Sequence, residues 1–507
     1  MKHFQKINHF PGMYAISRKN YLAINLNKLK KLFNEDFNFF PKTWVAPIDT
    51  FDLKLYLSNS QNIYFIVKPE ASCQGRGIFI TRKIDDIDPN RHVVQEYILN
   101  PYLIDNLKFD LRIYVLITGC DPLRVFIFKD GLARFATEEY SKPSGNNLTN
   151  NFIHLTNYAV NKLNPNFINN IDPNKDNIGH KRSLTYVMKY LESQGIDVEQ
   201  LQKNIEDSII KTICCIQPIL KHSYNSCQPE DYSNSMCFEV LGFDIILDSN
   251  LNHYILEVNH TPSFATDSPL DWEIKQKLII DTLNLVQASH SAQIKYYKKQ
   301  KILQYRRKFF GLNEKLTKEQ KIEERDNSKV KRDLWESNYL GGYKKIYSGQ
   351  NSKKYQIYIS AADRLWQEYT GIKHKSKRNL TVKKRNLEES CANSSIVELP
   401  VIEKPIEHPV FKRLSQPPMK KNRSIAFPNI IYQNIFRRQE KSCDHFPTFA
   451  DSFLKNTKNS DEMIRKKNKL KNNEKTLPNI KKEYVFKKNV TLKELLMLED
   501  LKFIPRN

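Results

Sequence analysis

The chain has 507 residues, with 80 Lys and Arg against 56 Asp and Glu, a formal net charge of +24 at pH 7. That length holds two or three domains with a sizeable core, and no apolar run reaches membrane-spanning length or forms the apolar centre of a secretory leader. Eight cysteines without a CxxC pair argue against a disulfide framework or a zinc site, so a soluble, cytoplasmic protein is expected.

The first 290 residues predict a mixed α/β (α+β) core. A helix is expected across 28–33, and Pro41-Lys42-Thr43-Trp44 leads out of a turn. Residues 63–67 form a β-rich run that delivers Lys68, and Gln74-Gly75-Arg76-Gly77-Ile78 follows before a strand over 77–80. Glycines let backbone N–H groups approach phosphate oxygens. The spacing is not GxxxxGK[ST] and no helix opens there, which disfavours a P-loop; a bare tight hairpin is the competing reading.

Further strands are predicted over 93–98, 109–118 and 125–128. In Lys108-Phe109-Asp110-Leu111-Arg112-Ile113-Tyr114-Val115, alternation puts Lys108, Asp110, Arg112 and Tyr114 on one face and the apolar residues on the other. A solvent-facing sheet with cross-strand ion pairs would look the same. Lys129-Asp130-Gly131 carries a hairpin-turn signal, and Arg134 in the strand beyond it adds a second guanidinium suited to a phosphoryl or carboxylate group. Residues 141–180, rich in Asn, Pro and Ser, predict loop, and 183–220 predict helix.

Two apolar strands follow, over 243–247 and 254–259, and they carry Asp244, Glu257 and Asn259. Residues 257 and 259 share a face, and Asp244 can join them across a hairpin. Two carboxylates and an amide oxygen suit Mg²⁺, which takes few protein oxygens and leaves room for phosphate. Three solvated polar residues at a sheet edge is the alternative, weakened by the apolar neighbours, since a buried unpaired carboxylate is costly. A helix is predicted from about residue 270, with Ile274, Leu278, Thr282, Leu285 and Val286 on one face.

Charge then changes sharply. Residues 1–290 hold 30 Lys and Arg against 32 Asp and Glu, 291–380 hold 23 against 9, and 381–507 hold 27 against 15. A near-neutral body thus precedes a basic extension that should seek an acidic polymer; nucleic acid, anionic membrane and acidic protein all qualify on charge. Residues 291–380 keep aromatics and are expected to fold or dock as helices. From 381 onward the composition predicts disorder, with a short helix over 491–501.

Taken as an ordered series, several motifs resemble the tubulin tyrosine ligase-like family of ATP-grasp ligases. They are Lys68-Pro69, the 74–78 loop, Gln95-Glu96-Tyr97-Ile98, the 108–112 strand, His154-Leu155-Thr156-Asn157-Tyr158-Ala159 and Glu257-Val258-Asn259-His260-Thr261-Pro262-Ser263-Phe264. The match covers about residues 7–290 and opens at Ile7-Asn8-His9-Phe10-Pro11-Gly12, so a shortened N-terminal lobe over 1–62 is expected. A catalytic core over 63–290, a cationic microtubule-binding extension over 291–380 and a basic tail over 381–507 complete the expected division.

The resemblance implies ATP-dependent ligation of a carboxylate to an amine. Lys68 and Lys108 would hold ATP phosphates under the loop of Gln74, Gly75, Arg76 and Gly77. Gln95, Glu96, Tyr97 and Ile98 would border the adenine, Asp110 would reach the sugar region, and Thr156 and Asn157 would lie near the phosphates. Asp244, Glu257 and Asn259 would hold Mg²⁺, with Glu257, Arg112 and Arg134 in catalytic roles. His154 reads equally well as a structural histidine.

Cys73, Gln74 and His260 look like the glutamylase branch and would shape the amino-acid or acceptor site. Arg332-Asp333-Leu334-Trp335-Glu336 and Gly341-Gly342-Tyr343-Lys344-Lys345-Ile346-Tyr347 resemble the microtubule-binding extension of that branch. The implied protein is a monomeric tubulin polyglutamylase that uses free L-glutamate, engages acidic tubulin tails and works at the cytoskeleton, including the ciliary axoneme or basal body. It would need no membrane and no specific nucleic acid. A glycylase with the same core and a catalytically inert microtubule-binding protein are the rival readings.

Overall fold

The computed structural model describes residues 2 and 4–371, except 60–62, 71–73, 88–91, 171–176, 230, 232, 312–316 and 348–351. The expected disorder beyond 381 and the helix over 491–501 lie outside the described residues. Residues Met1–Lys383 form one compact unit.

The chain opens with a short strand, β1 (Ile7–Asn8), one helical turn, α1 (Tyr14–Ser17), and α2 (Lys19–Lys30). Leu22, Leu26 and Leu29 recur at helical spacing on α2 and are all buried. A four-stranded antiparallel sheet follows, built from β2 (Thr43–Val45), β3 (Phe65–Pro69), β4 (Phe79–Thr81) and β5 (His92–Glu96) in the order β2-β5-β3-β4. Helix α3 (Thr50–Ser58) contributes Leu53 to the small core beneath it, with Phe65, Val67 and Val94.

The second sheet is larger. Its long strands are β7 (Leu107–Cys120), β8 (Leu123–Phe135) and β10 (Cys237–Leu247), with β6 (Leu103–Ile104), β9 (Lys181–Ser183) and β11 (His253–Asn259) at the margins. Between β8 and β9 lie two single turns, α4 (Asn151–His154) and α5 (Tyr158–Asn161), within the segment predicted as loop. Helices α6 (Leu184–Ser193), α7 (Val198–Cys214) and α8 (Gln217–Cys227) fill the predicted helical stretch. They cover one face of the sheet, where Phe109, Leu111, Ile113, Val115 and Ile117 of β7 point. The other face carries Tyr114 and Leu116 against α9 (Pro269–Leu285), whose Ile274, Leu278 and Leu285 are buried as their spacing predicts. Being apolar on both faces, the middle of β7 is buried throughout.

One predicted turn is corrected. Lys129-Asp130-Gly131 does not reverse the chain; β8 runs straight through it. The register against β7 jumps from Val115↔Ile127 to Ile113↔Gly131, which is a bulge. Gly131 serves this close approach, because a Cβ there would lie 2.3 Å from the Arg112 carbonyl oxygen. The actual reversal falls at Asp121-Pro122, between β7 and β8. A glycine after an acidic residue signals turns and bulges alike, so sequence could not separate them.

The basic segment contributes α10 (His290–Phe310), α11 (Lys318–Asn338), β12 (Tyr343–Tyr347) and α12 (Ser352–Thr370). β12 adds to the edge of β8, and Ile346, Tyr347, Tyr355 and Tyr358 enter the main core. Glu336 of α11, 1 % exposed, accepts from Arg124 at 2.6 Å and from Arg332 at 3.0 Å. Arg332 also donates to the carbonyls of Ser233 and Asn234. The Arg332–Glu336 pair therefore joins α11 to the sheet, whereas α10 leaves Lys295, Lys298, Lys301 and Arg307 exposed.

Candidate active site

Three neighbouring strands bring the predicted charges together. Asp244 on β10 stands opposite Arg112 of β7 on one side and Glu257 of β11 on the other, and Asp110 stands opposite Arg134 of β8. Arg112 grips Asp244 through Nε–Oδ1 at 2.5 Å and Nη2–Oδ2 at 2.9 Å. Arg134 donates from Nε to Asp110 at 2.8 Å, and its Nη2 reaches both Asp110 and, at 2.7 Å, Asp244. Gly242 leaves space for this arrangement, since a Cβ there would sit 2.9 Å from Arg112 Cδ.

The ion pairs of the solvent-facing alternative are present, but Asp110, Arg134 and Asp244 are buried. Burial alone would raise the Asp244 carboxyl; the Arg112 and Arg134 guanidinium groups outweigh it and hold that carboxyl far below the usual range. Asp244 therefore stays ionised, whereas burial outweighs Arg134 at Asp110 and raises that carboxyl; the paired carboxylates fix two guanidinium groups at one spot.

Glu257 and Asn259 extend from this lattice. Asn259 Nδ2 lies 3.1 Å from Glu257 Oε1 and 3.4 Å from Asp244 Oδ2. Lys19, at the start of α2, approaches Glu257 Oε2 at 3.4 Å. Among the described residues no group of three or more His, Cys, Asp and Glu side chains is arranged to hold a metal. The oxygen donors nonetheless fit a magnesium ion in their chemistry: Glu257 is partly exposed, and rotating the Asn259 amide would present Oδ1 where Nδ2 now points. Asp244, with both oxygens on guanidinium groups, contributes chiefly its charge.

Two buried lysines face the same region. Lys68 of β3 donates to Gln95 Oε1 at 2.7 Å, and Gln95 in turn donates to Thr43 Oγ1 at 3.0 Å. Lys68, Gln95 and Thr43 line one cavity with Lys19, Phe40 and Leu256, which brings the small sheet against β11. Lys108 of β7 donates to Tyr97 OH at 2.8 Å and to the His154 carbonyl at 2.9 Å, with the Tyr97 ring 4.1 Å from its ammonium. His154 therefore acts through its backbone, holding Lys108, while its Nδ1 meets Tyr97 OH at 3.0 Å.

Burial, the dominant cause, lowers Lys68 to about 8 and Lys108 to about 7. A triphosphate bound there, as the resemblance implies, would favour their charged forms, so both pKa values should rise on ATP binding. The sign follows: affinity should be greatest below about pH 7 and fall through about pH 8, by up to about tenfold per pH unit for each lysine protonated on binding. Calorimetric titration with ATP in two buffers of different ionisation enthalpy should record proton uptake near neutral pH. A constant affinity between about pH 6 and pH 9 would contradict this assignment.

The 74–77 loop has left-handed backbone at Gln74, Gly75 and Gly77. It lies against α5, because a Cβ on Gly75 would be 2.8 Å from Val160 and 3.3 Å from the Asn157 side chain. Arg76 reaches Gln74 Oε1 at 3.4 Å. Thr156 is buried just before Asn157. Tyr97 is buried, Glu96 accepts from Tyr56 OH at 3.3 Å, and Ile98 is half-buried. Cys73 lies outside the described residues. His260 follows Asn259, its ring centroid 6.1 Å from that of His9.

Residue reading missed Lys19, Thr43 and His9. Only Lys19 left a local signal, a basic pair Arg18-Lys19 at the start of an apolar-periodic helix. Contacts from Thr43 to Gln95 and from His9 to Glu239, 3.1 Å away, depend on strands far apart in the chain.

The model of the tubulin-tyrosine ligase family matches residues 1–295. The chain is 50% identical over 376 residues to the probable beta-tubulin polyglutamylase of Tetrahymena thermophila, covering 73% of this chain and 32% of that protein. Tubulin polyglutamylase ttll6 of Danio rerio is 42% identical over 404 residues, 79% of this chain and 49% of its own. Tubulin polyglutamylase TTLL6 of Homo sapiens is 44% identical over 373 residues, 72% of this chain and 41% of its own. The chain thus spans less than half the length of each. No described helix is long and apolar enough to cross a membrane.

Proposed function

The chain belongs to the tubulin-tyrosine ligase family, and on that footing we propose that it is an ATP- and Mg²⁺-dependent ligase that couples free L-glutamate to a glutamate carboxylate on an acidic tubulin tail or its growing branch. The observation that carries this reading is the buried lattice of Arg112, Arg134, Asp110 and Asp244 beside Glu257, with Lys68 lining a cavity against β11 residues Ile255 and Leu256.

A carboxylate is a poor electrophile. One of its oxygens attacks the γ-phosphorus of ATP, the bond to the β-phosphate oxygen breaks and ADP leaves. The glutamate amine, its ammonium having lost a proton to solvent, then attacks the acyl carbon; inorganic phosphate departs with the C–O electrons, and the nitrogen releases a second proton to leave the amide. Arg112 and Arg134 stabilise charge on the transferring phosphoryl and the acceptor carboxylate, while their own carboxylate partners keep them from reorganising. Lys68 and Lys108 hold phosphates, with the 74–77 loop over them. Glu257 and Asn259 would hold Mg²⁺, backed by Asp244; the ion, when bound, neutralises phosphate charge. No side chain needs to form a covalent bond, so positioning supplies much of the rate.

The polymer side rests on α10. Its exposed Lys298, Lys301 and Arg307 suit an acidic tail, and its Tyr296 ring lies 5.3 Å from that of Phe4. Because β12 and α12 bury core residues, deleting 291–380 would damage the fold, so charge reversal is the cleaner test. Wild-type protein should release ADP only when glutamate and a tubulin-tail substrate are both supplied. With Lys298, Lys301 and Arg307 all changed to Glu, turnover on a short tail peptide should persist. Binding to microtubules should fall at least about tenfold, and added salt should weaken wild-type binding in the same direction. Unchanged co-sedimentation would give α10 another partner.

A further inference from the structure

A second cavity, of about 230 Å³, lies between the sheet and α11. Its lining holds three cations, Lys6, Lys331 and Arg332, together with the hydroxyl-bearing Ser235 and Ser328 and the amide of Gln287, and among the described residues no acidic one. Cys237 on its wall and Asp244 in the candidate active site are seven residues apart on β10, about 23 Å along an extended strand. The two sites are therefore separate.

The nearest carboxylates are already committed. Asp231 accepts from Tyr224 OH, from the Ser233 hydroxyl at 2.6 Å, and from the backbone of Ser233, Ser235 and Met236. Glu336 accepts from Arg124, Arg332 and Thr118. Lys6 gives one of its three donors to the Ser235 carbonyl, at 2.6 Å. Among the described residues no other bonded acceptor of that ammonium is recorded. Burial, reinforced by the Arg332 guanidinium and only partly offset by the Asp231 carboxylate, lowers Lys6 to about 8. Water takes about 30 Å³ in the liquid, so the space admits an ion with several oxygens.

We propose that this cavity is a binding site for a phosphate-type oxyanion, held by Lys6, Arg332 and Lys331 with hydroxyl donors from the serines. Two sources share that chemistry: free inorganic phosphate and a phosphorylated side chain. Occupancy would bind α11 more firmly to the segments just before β1 and β10, because the ion would touch Lys6 and Ser235 as well as α11. The site stands independently of the proposed ligase reaction.

The test uses the full chain saturated with ADP, so that the nucleotide cleft is filled. Inorganic phosphate is titrated at fixed ionic strength against chloride, with calorimetry and thermal unfolding as readouts. Wild type should bind phosphate and melt at a higher temperature. Lys6→Met, which keeps the apolar stem, should weaken phosphate binding at least about tenfold while ADP affinity is unchanged, and Lys6→Arg should retain it. Competition by phosphoserine would identify a phosphorylated side chain as an admissible source, and its failure would leave the free ion. Should Lys6→Met not fold, Lys331→Gln combined with Ser328→Ala at the rim should weaken phosphate several-fold. Equal phosphate affinity in the variants, no binding above chloride, or tighter binding of glutamate than of phosphate would overturn the site.

Discussion

Glu257→Gln should leave the protein folded and reduce ligation by about a hundredfold or more. The substitution is isosteric and removes one negative charge at the mouth of the charged lattice. Its cost to stability should stay below about 1 kcal/mol, because the Lys19 partner is 3.4 Å away and the carboxylate is partly exposed. Its cost to turnover is larger, since losing one preorganised group that handles developing charge typically costs about two to three orders of magnitude. Thermal unfolding and steady-state ADP release, measured at several Mg²⁺ concentrations, separate the two effects. Wild-type turnover by a folded Glu257→Gln protein would remove this residue from the magnesium site.

Arg134→Leu should have the largest effect on stability, about 3–5 kcal/mol. Arg134 is buried and neutralises Asp110 with two contacts while also reaching Asp244. Removing it strands Asp110 in the interior, and an uncompensated buried charge costs about that much. The double variant Arg134→Leu with Asp110→Leu should recover part of the loss, because both charges are then gone, yet ligation should remain absent. Urea unfolding of the single and double variants supplies the cycle. A single variant losing under about 1 kcal/mol, or an active double variant, would contradict the role of the lattice.

The strands carrying the site were legible in sequence because they alternate. Lys108, Asp110 and Arg112 share a face as their spacing predicts, and Asp244 meets Glu257 across the expected hairpin. Helix α9 followed from its apolar period. What sequence hid is non-local. The pairing of β12 with β8, the Thr43–Gln95–Lys68 chain and the His9–Glu239 contact join residues far apart. The motif Arg332-Asp333-Leu334-Trp335-Glu336 resembles a polymer-binding extension. Arg332 and Glu336 instead point inward, while Lys298, Lys301 and Arg307 of α10 are exposed. A charge count cannot tell a cation facing water from one neutralised against a buried carboxylate.

Magnesium, ATP and microtubules incubated with this protein and an equimolar mixture of isotopically labelled glutamate and glycine test the central claim most directly. Mass spectrometry of the tubulin tails should reveal ATP-dependent addition of whole glutamyl residues, abolished in Glu257→Gln. Glycyl additions, or unmodified tails despite microtubule binding, would contradict it.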